Sequence, residues 1–298
     1  MKAFIRKLGF FTLFFLAFSI IINGIFLVII FNSDWDFIKR RESLNFQNPD
    51  YELLVLGSSL AEYAIDSELL TEAGIHSYNL ALVGSSVKTN YVQLREYLHN
   101  YENKPKYVIL AINSYLERFD QEGIQPVVEF TMEGHKYTLK DVPMTKFNWA
   151  GMELIKKAFR KEYRQTYVSY GHKKSIRIEP DRSELGNAEM NLPEYENAKY
   201  IGKIAGICND QGIEFYVIDL PAVTESQNRS EIGPYDLVYN NSDTAEFYNL
   251  NSNEFCDFID PVKDWSGMSH FNKYGAEKFT AEMIELFFSE GSIGSKEN

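Results

Sequence analysis

Residues 51–60, YELLVLGSSL, lead from a short apolar run through a glycine into two serines. An apolar run of this length that ends at a glycine predicts a buried strand, and the apolar spacing after it predicts a helix over residues 59–70. Two further apolar runs, 76–82 and 107–112, also end at turn residues, and a helical pattern over 87–99 separates them. Short buried strands joined by helices predict an α/β fold whose parallel sheet is covered by helices on both faces.

The same alternation returns near the C-terminus. The pattern predicts a helix over residues 192–210, a strand over 213–220 and a last helix over 272–289. In open sheets of this class, ligands bind beyond the carboxyl ends of the strands. We therefore expect the functional residues to lie just after the strands.

Two stretches of the globular part, residues 42–298, depart from the alternation. Residues 120–191 are predicted to be an insertion rather than a separate domain, with a hairpin over 127–142 and a basic, aromatic helix over 152–170. Residues 222–262 are acidic and have little regular pattern, which predicts a loop near the functional site.

A long apolar segment lies near the N-terminus. Residues 8–31 contain no charged residue, and a helix of that length measures about 36 Å, enough to cross a hydrocarbon core of about 30 Å with some tilt. A signal peptide has a shorter apolar run and a small-residue cleavage site, and a buried core helix is the other alternative. Residues 1–41 are therefore predicted to hold a cytoplasmic tail, a retained transmembrane anchor and a juxtamembrane linker.

The basic residues around this segment are evenly divided. They are Lys2, Arg6 and Lys7 before it, and Lys39, Arg40 and Arg41 after it. The terminal amine and the acidic Asp34 and Asp36 favour an N-terminus inside the cytoplasm and a globular part outside. The lipid bilayer is thus the expected partner of residues 8–31.

The composition excludes several classes of protein. The chain has 298 residues and a formal net charge of −12, which argues against a general nucleic-acid binder because such proteins need a basic face. Its apolar content of 45% is enough for a buried core. With two cysteines, Cys208 and Cys256, a disulfide framework and a cysteine-rich zinc site are excluded, and one disulfide stays open.

Four short motifs lie at the places where a site is expected. Gly57-Ser58-Ser59 opens a helix after the first strand, Gly84 follows the second strand, Asn113 follows the third, and His270 precedes the last helix. Ser59 can offer a hydroxyl and a backbone N–H at a helix N-terminus, Gly84 a backbone N–H at close range, and Asn113 an amide donor for an oxyanion. His270 can act as a general base toward Ser59.

Each motif alone also has an ordinary structural explanation. Serine is a common helix N-cap, a glycine after a strand often makes a turn, and an asparagine there often fills a loop or a cap. A surface position that flanks the helix is the ordinary explanation for His270, but it is the one histidine of five that lies beside a predicted strand-end site.

Together the four motifs resemble the SGNH hydrolase superfamily, also called GDSL-like. That family has Gly-Asp-Ser near the start of its domain, a glycine after the second strand, Gly-x-Asn-Asp after the third, and Asp-x-x-His near the C-terminus. The stretches that match here are 57–59, Gly84, 111–114 and 267–270. The resemblance implies a flavodoxin-like three-layer α/β/α sandwich, here preceded by one transmembrane helix.

The resemblance also implies roles for individual residues. Ser59 would be the nucleophile and His270 the base, and the oxyanion hole would combine the N–H groups of Ser59 and Gly84 with the Asn113 side chain. Gly267, however, stands where the family has its triad aspartate, and Ser58 and Ser114 replace two other acidic residues. Asp264 is our first choice for the acid that orients His270. The alternatives are Asp260, Asp257 and a backbone carbonyl, which would leave a dyad.

Family members with one N-terminal span and a Gly-Ser-Ser first block resemble accessory acyl-transfer proteins of the bacterial envelope. The resemblance implies a single-pass protein of the inner membrane whose domain lies outside the cytoplasm. It would transfer or remove an acyl group, with acetyl expected, on a glycan, and would work with a membrane-bound O-acyltransferase. A degenerate domain that binds glycan or scaffolds a membrane complex is the alternative, because losing a triad acid can cost several orders of magnitude in rate. A lipase or thioesterase ranks third.

No cofactor or metal is predicted. The chain has no phosphate-binding loop, no Gly-x-Gly-x-x-Gly fingerprint and no His-Glu-x-x-His motif. The basic stretch 156–164 is predicted to be a solvated helix face or a contact with lipid headgroups rather than an RNA site.

Overall fold

A computed structural model describes residues 1–47, 49–113, 122–159, 166–176, 178, 199–221, 232–240, 243–267 and 270–289. The chain divides into two compact units. One unit combines Met1–Glu42 with Pro126–Tyr163, and the other combines Ser43–Gln125 with Arg164–Asn298. Much of the segment that the sequence marks as an insertion therefore groups with the N-terminal helices.

The described residues form helices and strands that we number in chain order. They are α1 (Lys2–Ser33), α2 (Trp35–Leu44), β1 (Leu53–Gly57), α3 (Ser59–Ala64), α4 (Ser67–Glu72), β2 (Ser77–Asn79), α5 (Val87–Asn100), β3 (Tyr107–Ile112), α6 (Pro126–Thr131), α7 (Pro143–Lys146), α8 (Asn148–Phe159), β4 (Thr166–Ser169), β5 (His172–Ser175), α9 (Lys199–Gln211), β6 (Glu214–Asp219), β7 (Tyr235–Asn240), β8 (Asp243–Asn249), α10 (Asn253–Cys256) and α11 (Lys273–Phe288).

A six-stranded sheet in the order β2-β1-β3-β6-β8-β7 forms the centre of the larger unit. The first five strands of this order are parallel, and β7 pairs antiparallel with β8 at the edge. Counted along the chain, the parallel strands have the order 2-1-3-4-5, which is the flavodoxin-like order. The predicted α/β fold with a parallel sheet is therefore confirmed, with one antiparallel edge strand added.

Helices cover both faces of this sheet. On one face, Leu53 and Val55 of β1 pack in a buried cluster with residues of α3, α4 and α11. On the other face, Leu54 and Leu56 pack with residues of α5 and α9. All of β1 is buried, and each fully buried leucine contributes about 2 kcal/mol of transfer free energy. This arrangement is the three-layer sandwich that the sequence predicted.

The prediction of a loop over residues 222–262 is wrong in its described part, which includes β7, β8 and α10. Residues 222–231, 241 and 242 of that prediction lie outside the described residues. In β8, Phe247 packs on one face of the sheet and the next residue, Tyr248, packs on the other. A strand with both faces buried has no alternation of polar and apolar residues, so its pattern is hidden. Glu246 adds charge to the same stretch, where its carboxylate accepts a hydrogen bond from the Tyr248 hydroxyl at 2.6 Å.

The helix predicted over residues 59–70 is two helices, because Asp66 interrupts it. Its carboxylate accepts hydrogen bonds from the N–H groups of Glu68 and Leu69, which makes Asp66 the N-cap of α4. The strand predicted over 76–82 is also shorter and ends at Asn79. No disulfide joins Cys208 and Cys256.

The smaller unit contains the apolar N-terminal segment. Helix α1 is long and apolar enough to cross a membrane, as judged from its length and composition. The hairpin predicted over residues 127–142 is wrong, because Pro126 starts helix α6 and a short 3-10 turn follows at Leu139–Asp141. Val127 and Phe130 of α6 pack in one buried cluster, as apolar residues three apart on a helix do.

The helix predicted over residues 152–170 is wrong at both ends. Helix α8 begins earlier, at Asn148, while Thr166–Ser169 forms β4, which pairs antiparallel with β5 in the larger unit. The predicted helix over 192–210 corresponds to α9, and the part of that prediction before residue 199 lies outside the described residues. The last predicted helix corresponds to α11.

Candidate active site

Gly57 allows the start of α3 to lie close to the sheet. It ends β1 opposite Ala111 of β3. A Cβ atom at Gly57 would lie 2.5 Å from the carbonyl oxygen of Ala111 and would also collide with the side chain of Ala61. Because only glycine fits, the sequence Gly57-Ser58-Ser59 delivers its serines directly to the carboxyl end of the sheet.

The two serines of this motif have different roles. The Ser58 hydroxyl accepts a hydrogen bond from the N–H of Leu60 at 3.4 Å and is the N-cap of α3. The capping role that could have explained Ser59 therefore belongs to its neighbour. Ser59 is the first residue of α3, and its hydroxyl meets a different partner.

That partner is His270, 211 residues further along the chain. The Nε2 atom of His270 lies 2.8 Å from the Oγ atom of Ser59, which is a hydrogen-bonding distance. The pair that the sequence suggested as nucleophile and base is thus brought together. At this distance the imidazole can take the proton of the hydroxyl when Nε2 is unprotonated, and this is the geometry that serine nucleophiles need.

Hydrogen bonds within its own loop hold His270 in place. The N–H of Ser266 donates to the His270 carbonyl at 2.8 Å, and Trp265 and Phe271 form a bridge of β type across the loop. Asn272 then caps α11, because its side chain accepts from the N–H groups at the start of that helix. The loop before α11 is therefore ordered by main-chain bonds and a cap.

Three more side chains influence His270, and none of them belongs to the four sequence motifs. The ring of Tyr63 packs edge-on against the His270 ring at a centroid distance of 5.1 Å, and the Lys173 ammonium lies 5.2 Å from the centre of the Tyr63 ring. Burial lowers the pKa of His270 from its ordinary value, and the positive charge of Lys173 lowers it further. The negative charge of Glu62 acts in the opposite direction and raises this pKa. The net shift favours the neutral imidazole, which is the form that acts as a base.

Glu62 and Tyr63 could have been found from spacing alone. They follow Ser59 by three and four residues in α3, and side chains at those spacings share one face of a helix. Glu62 is completely buried. Lys173 could not have been found in this way, because it belongs to the distant hairpin of β4 and β5.

A buried ionic cluster fixes this hairpin beside α3. The two ring nitrogens of His172 lie 3.2 Å from the Asp66 carboxylate and 3.3 Å from the Tyr63 carbonyl. The Lys174 ammonium lies 2.8 Å from Asp66 and 2.7 Å from Glu68. Burial alone raises the pKa of Asp66, but the bonds and charges of His172 and Lys174 outweigh it and hold that pKa well below its usual range.

Asp264, the first choice for the acid that orients His270, has other partners in this structure. Its carboxylate accepts hydrogen bonds from the Lys278 ammonium and from the N–H of Asp260, both at 2.7 Å. The Asp260 carboxylate accepts from the N–H groups of Val262 and Lys263. These bonds order the loop, and the orienting role of Asp264 stays a prediction.

The predicted oxyanion residues lie at strand ends, as expected. Asn113 follows β3, is completely buried, and donates from Nδ2 to the carbonyl of Leu220 at 2.8 Å. Gly84 lies in an exposed turn with a φ of +70°, a conformation that favours glycine. Their roles as oxyanion donors stay predictions.

The described residues contain no group of three or more histidine, cysteine, aspartate or glutamate side chains that could hold a metal ion. What the arrangement offers is a serine hydroxyl, a neutral imidazole and buried polar groups at one end of a sheet. This combination suits acyl transfer through a covalent intermediate.

Comparison with known proteins gives only distant similarity. No family model and no curated protein matches the chain. Among solved structures, one similar protein is a proposed platelet activating factor from Streptococcus pneumoniae, with 13% identity, a TM-score of 0.39, and coverage of 90% of this chain and 98% of that one. A proposed acylhydrolase from Bacteroides fragilis has 12% identity and a TM-score of 0.27, with coverage of 85% and 97%.

A GDSL-like lipase from Bacteroides thetaiotaomicron is also similar, with 13% identity, a TM-score of 0.28, and coverage of 85% of this chain and 97% of that one. All three TM-scores are below 0.5, so the fold and the site are judged on this chain's own topology and distances. In its four motifs, its strand order and its Ser59–His270 pair, the chain resembles the GDSL-like hydrolases.

Proposed function

We propose that the protein is a serine-dependent acyl-ester enzyme that is anchored in the bacterial inner membrane by α1. The single observation that carries the enzymatic part is the 2.8 Å distance between His270 Nε2 and Ser59 Oγ. Burial of the ring supports it, because a lowered His270 pKa keeps the imidazole neutral and able to accept a proton near neutral pH.

The proposed reaction has two halves. His270 takes the proton of the Ser59 hydroxyl while Oγ attacks the carbonyl carbon of an ester, and the N–H groups of Ser59 and Gly84 with the Asn113 amide stabilise the resulting oxyanion. His270 then gives the proton to the leaving alcohol as the C–O bond breaks, which leaves an acyl ester on Ser59. A second hydroxyl repeats these steps in reverse and removes the acyl group.

The second hydroxyl decides between an esterase and an acyltransferase. Water gives hydrolysis, and a sugar hydroxyl gives an O-acylated glycan. We propose a glycan of the envelope as acceptor, acetyl as the acyl group, and a membrane-bound O-acyltransferase as partner. The support is the resemblance of the four motifs together with the apolar length of α1. In this proposal the globular domain lies outside the cytoplasm.

Labelling with a serine-reactive fluorophosphonate tests the site. The wild-type protein should be labelled, and Ser59→Ala and His270→Ala should lose the label. Ser58→Ala and His99→Ala are matched controls, because Ser58 caps α3 and His99 is exposed on α5, and both should keep it. Label that persists in Ser59→Ala would contradict the proposal.

A second experiment separates hydrolysis from transfer. The wild-type protein is incubated with p-nitrophenyl acetate, and the acetyl ester on Ser59 is sought by mass spectrometry of the peptides. A soluble oligosaccharide is then added. Acetylated sugar in the wild type but not in Ser59→Ala supports the transferase, whereas free acetate alone supports the esterase.

The second candidate function is a degenerate domain that binds glycan or scaffolds a membrane complex. The observation that favours it is the engagement of Asp264 by Lys278 and Asp260, which leaves the sequence's first choice of triad acid bonded elsewhere. A folded wild-type protein that takes no fluorophosphonate and forms no acyl ester would favour this candidate over the enzyme.

A further inference from the structure

We infer that the segment from α6 to α8 is a membrane-surface element that packs along the C-terminal part of α1 and contacts the headgroup layer of the bilayer that α1 crosses. The inference rests on the proposed anchoring by α1. It adds a second part of the chain, residues 126–159, to the surface that meets lipid. All the residues that carry it lie in the smaller unit.

The first contact is a polar one inside the apolar run. The Asn23 side chain donates to the carbonyl of Ser19 and accepts, through Oδ1, from the N–H of Met144, both at 2.9 Å. Met144 lies at the start of α7, where N–H groups have no partner within the helix. An amide in apolar surroundings is costly unless it is hydrogen-bonded. This bond therefore fixes the start of α7 at the level of Asn23.

Apolar packing continues from Asn23 to the end of α1. Gly151 of α8 lies so close to Phe26 that a Cβ atom at Gly151 would be 3.2 Å from its ring. Ile30 of α1 is completely buried in one cluster with Phe147. A small residue at a helix contact is typical of helices that pack within membranes. Helices α7 and α8 thus lie along the last part of the apolar segment.

The other side of α1 is uncovered at this same level. Ile25, Val28 and Ile29 are 55%, 65% and 47% exposed, although they lie between Asn23 and the end of the apolar run. If α1 crosses a bilayer, these three side chains need lipid around them. Helices α7 and α8 pack on the opposite side at the same level, so they meet the outer part of the same bilayer.

The segment also has exposed apolar side chains. Within residues 137–152, the exposed ones are Leu139, Tyr137, Met152 and Met144. Lys136 and Lys140, beside Tyr137 and Leu139, are exposed as well. Apolar and aromatic side chains flanked by lysines are typical of helices that lie in the membrane interface, and the lysines are attracted to anionic headgroups. Lipid is therefore the occupant that fits this surface.

Spin-label accessibility in the full chain tests the inference. The protein is reconstituted in vesicles of phosphatidylethanolamine and phosphatidylglycerol, with single labels at Met144→Cys and Met152→Cys. Ile20→Cys in α1 serves as the lipid reference, and Tyr274→Cys on α11 as the water reference. Cys256→Ser removes the half-buried thiol, while Cys208 can stay because burial raises the pKa of its thiol to about 12 and keeps it unreactive.

Collision of each label with oxygen, which concentrates in lipid, is compared with collision with a nickel chelate, which stays in water. We expect labels at 144 and 152 to shift toward the oxygen-rich value of label 20 and away from label 274. Water-like values at 144 and 152 with a lipid-like value at 20 would overturn the inference and leave the anchor standing; that surface would then suit a protein partner. A water-like value at 20 would overturn the anchor itself.

A pair of asparagine variants tests the contact that positions α7. Asn23→Ala removes the acceptor for the Met144 N–H, and we expect the label at 144 to become more mobile. Asn32→Ala on the same helix is the matched control, because the Asn32 side chain bonds the carbonyl of Val28 and the side chain of Arg41 instead. An unchanged label 144 in Asn23→Ala would overturn the proposed role of this bond.

Discussion

Two histidines contact the same residue, Tyr63, yet they have different partners. His172 is completely buried and lies between the Asp66 carboxylate and the Tyr63 carbonyl. His270 packs against the Tyr63 ring and lies 2.8 Å from the Ser59 hydroxyl. Both rings therefore belong to one small region of the larger unit.

The difference in partners separates a structural histidine from a chemical one. A carboxylate 3.2 Å from a buried imidazole holds the ring in place, and with Lys174 it fixes the hairpin of β4 and β5. A hydroxyl bonded to an imidazole whose pKa is lowered by burial provides a proton that can be moved. A histidine next to an acid is thus not automatically the base, and here the distance to the proposed nucleophile, Ser59, makes His270 the proposed base.

The largest expected effect comes from exchanging each histidine for glutamine. His270→Gln should reduce the rate of p-nitrophenyl acetate hydrolysis by about 10⁴- to 10⁶-fold, as loss of the base does in serine enzymes. His172→Gln should lower stability and leave the rate per folded molecule nearly unchanged. Initial rates divided by the folded fraction from circular dichroism measure both. Equal losses in the two variants would remove the distinction.

The next largest effect is on the free energy of unfolding, to which Asp66 and His172 both contribute. Asp66→Asn leaves His172 and Lys174 without a buried carboxylate, and breaking such a pair costs about 3–5 kcal/mol of unfolding free energy. Asp264→Asn is the control and should cost less, because its partner Lys278 is half exposed and an amide oxygen can still accept from the N–H of Asp260. Urea titration of the full chain in detergent measures both. A smaller loss in Asp66→Asn than in Asp264→Asn would contradict the cluster's role.

Asp66→Asn should also change how the free energy of unfolding depends on pH. The folded pKa of Asp66 lies below its usual range, so this group contributes stability that is fully present above the unfolded pKa of about 3.9 and is lost as the pH falls toward the folded value. When the pH is lowered from neutral to about 4 and below, the wild type should therefore lose more unfolding free energy than Asp66→Asn. Parallel pH curves for the two proteins would contradict this assignment.

The smallest expected effect sharpens the description of His270. Lys173→Gln removes a charge that lowers its pKa, so the acid limb of kcat/KM should move to higher pH. Glu62→Gln removes a charge that raises this pKa, so the same limb should move to lower pH. Lys203→Gln on α9, whose ammonium lies over the Tyr200 ring, is the control and should not move it. Shifts of the same sign in the first two variants would contradict the assignment.

Whether a residue of this site can be predicted from the sequence depends on how far along the chain it lies from the motifs at Ser59 and His270. Ser59 and His270 were identified because each lies beside a regular element whose pattern is local. Glu62 was within reach through its spacing from Ser59. Lys173 was not, because its position depends on how a hairpin docks through His172 and Lys174, and such tertiary contacts leave no periodic signal.

The fold shows the same division. The strands β1, β3 and β6 are short apolar runs, and their pattern was sufficient. Strand β8 was missed, because Phe247 and Tyr248 are buried on opposite faces and acidic residues lie among them. Helix α6 was mistaken for part of a hairpin, because a two-turn helix has too few residues to show its period.

The separation of Ser59 from His270 by 211 residues has a consequence during synthesis of the protein. A ribosome adds roughly 5–20 residues each second, so Ser59 is made about 10–40 s before its base. Helix α1 is also made long before α11, so the proposed anchor can enter the membrane before α11 exists. Throughout synthesis and insertion the serine is therefore an ordinary hydroxyl. In the proposed mechanism it gains its base only when the last helix docks.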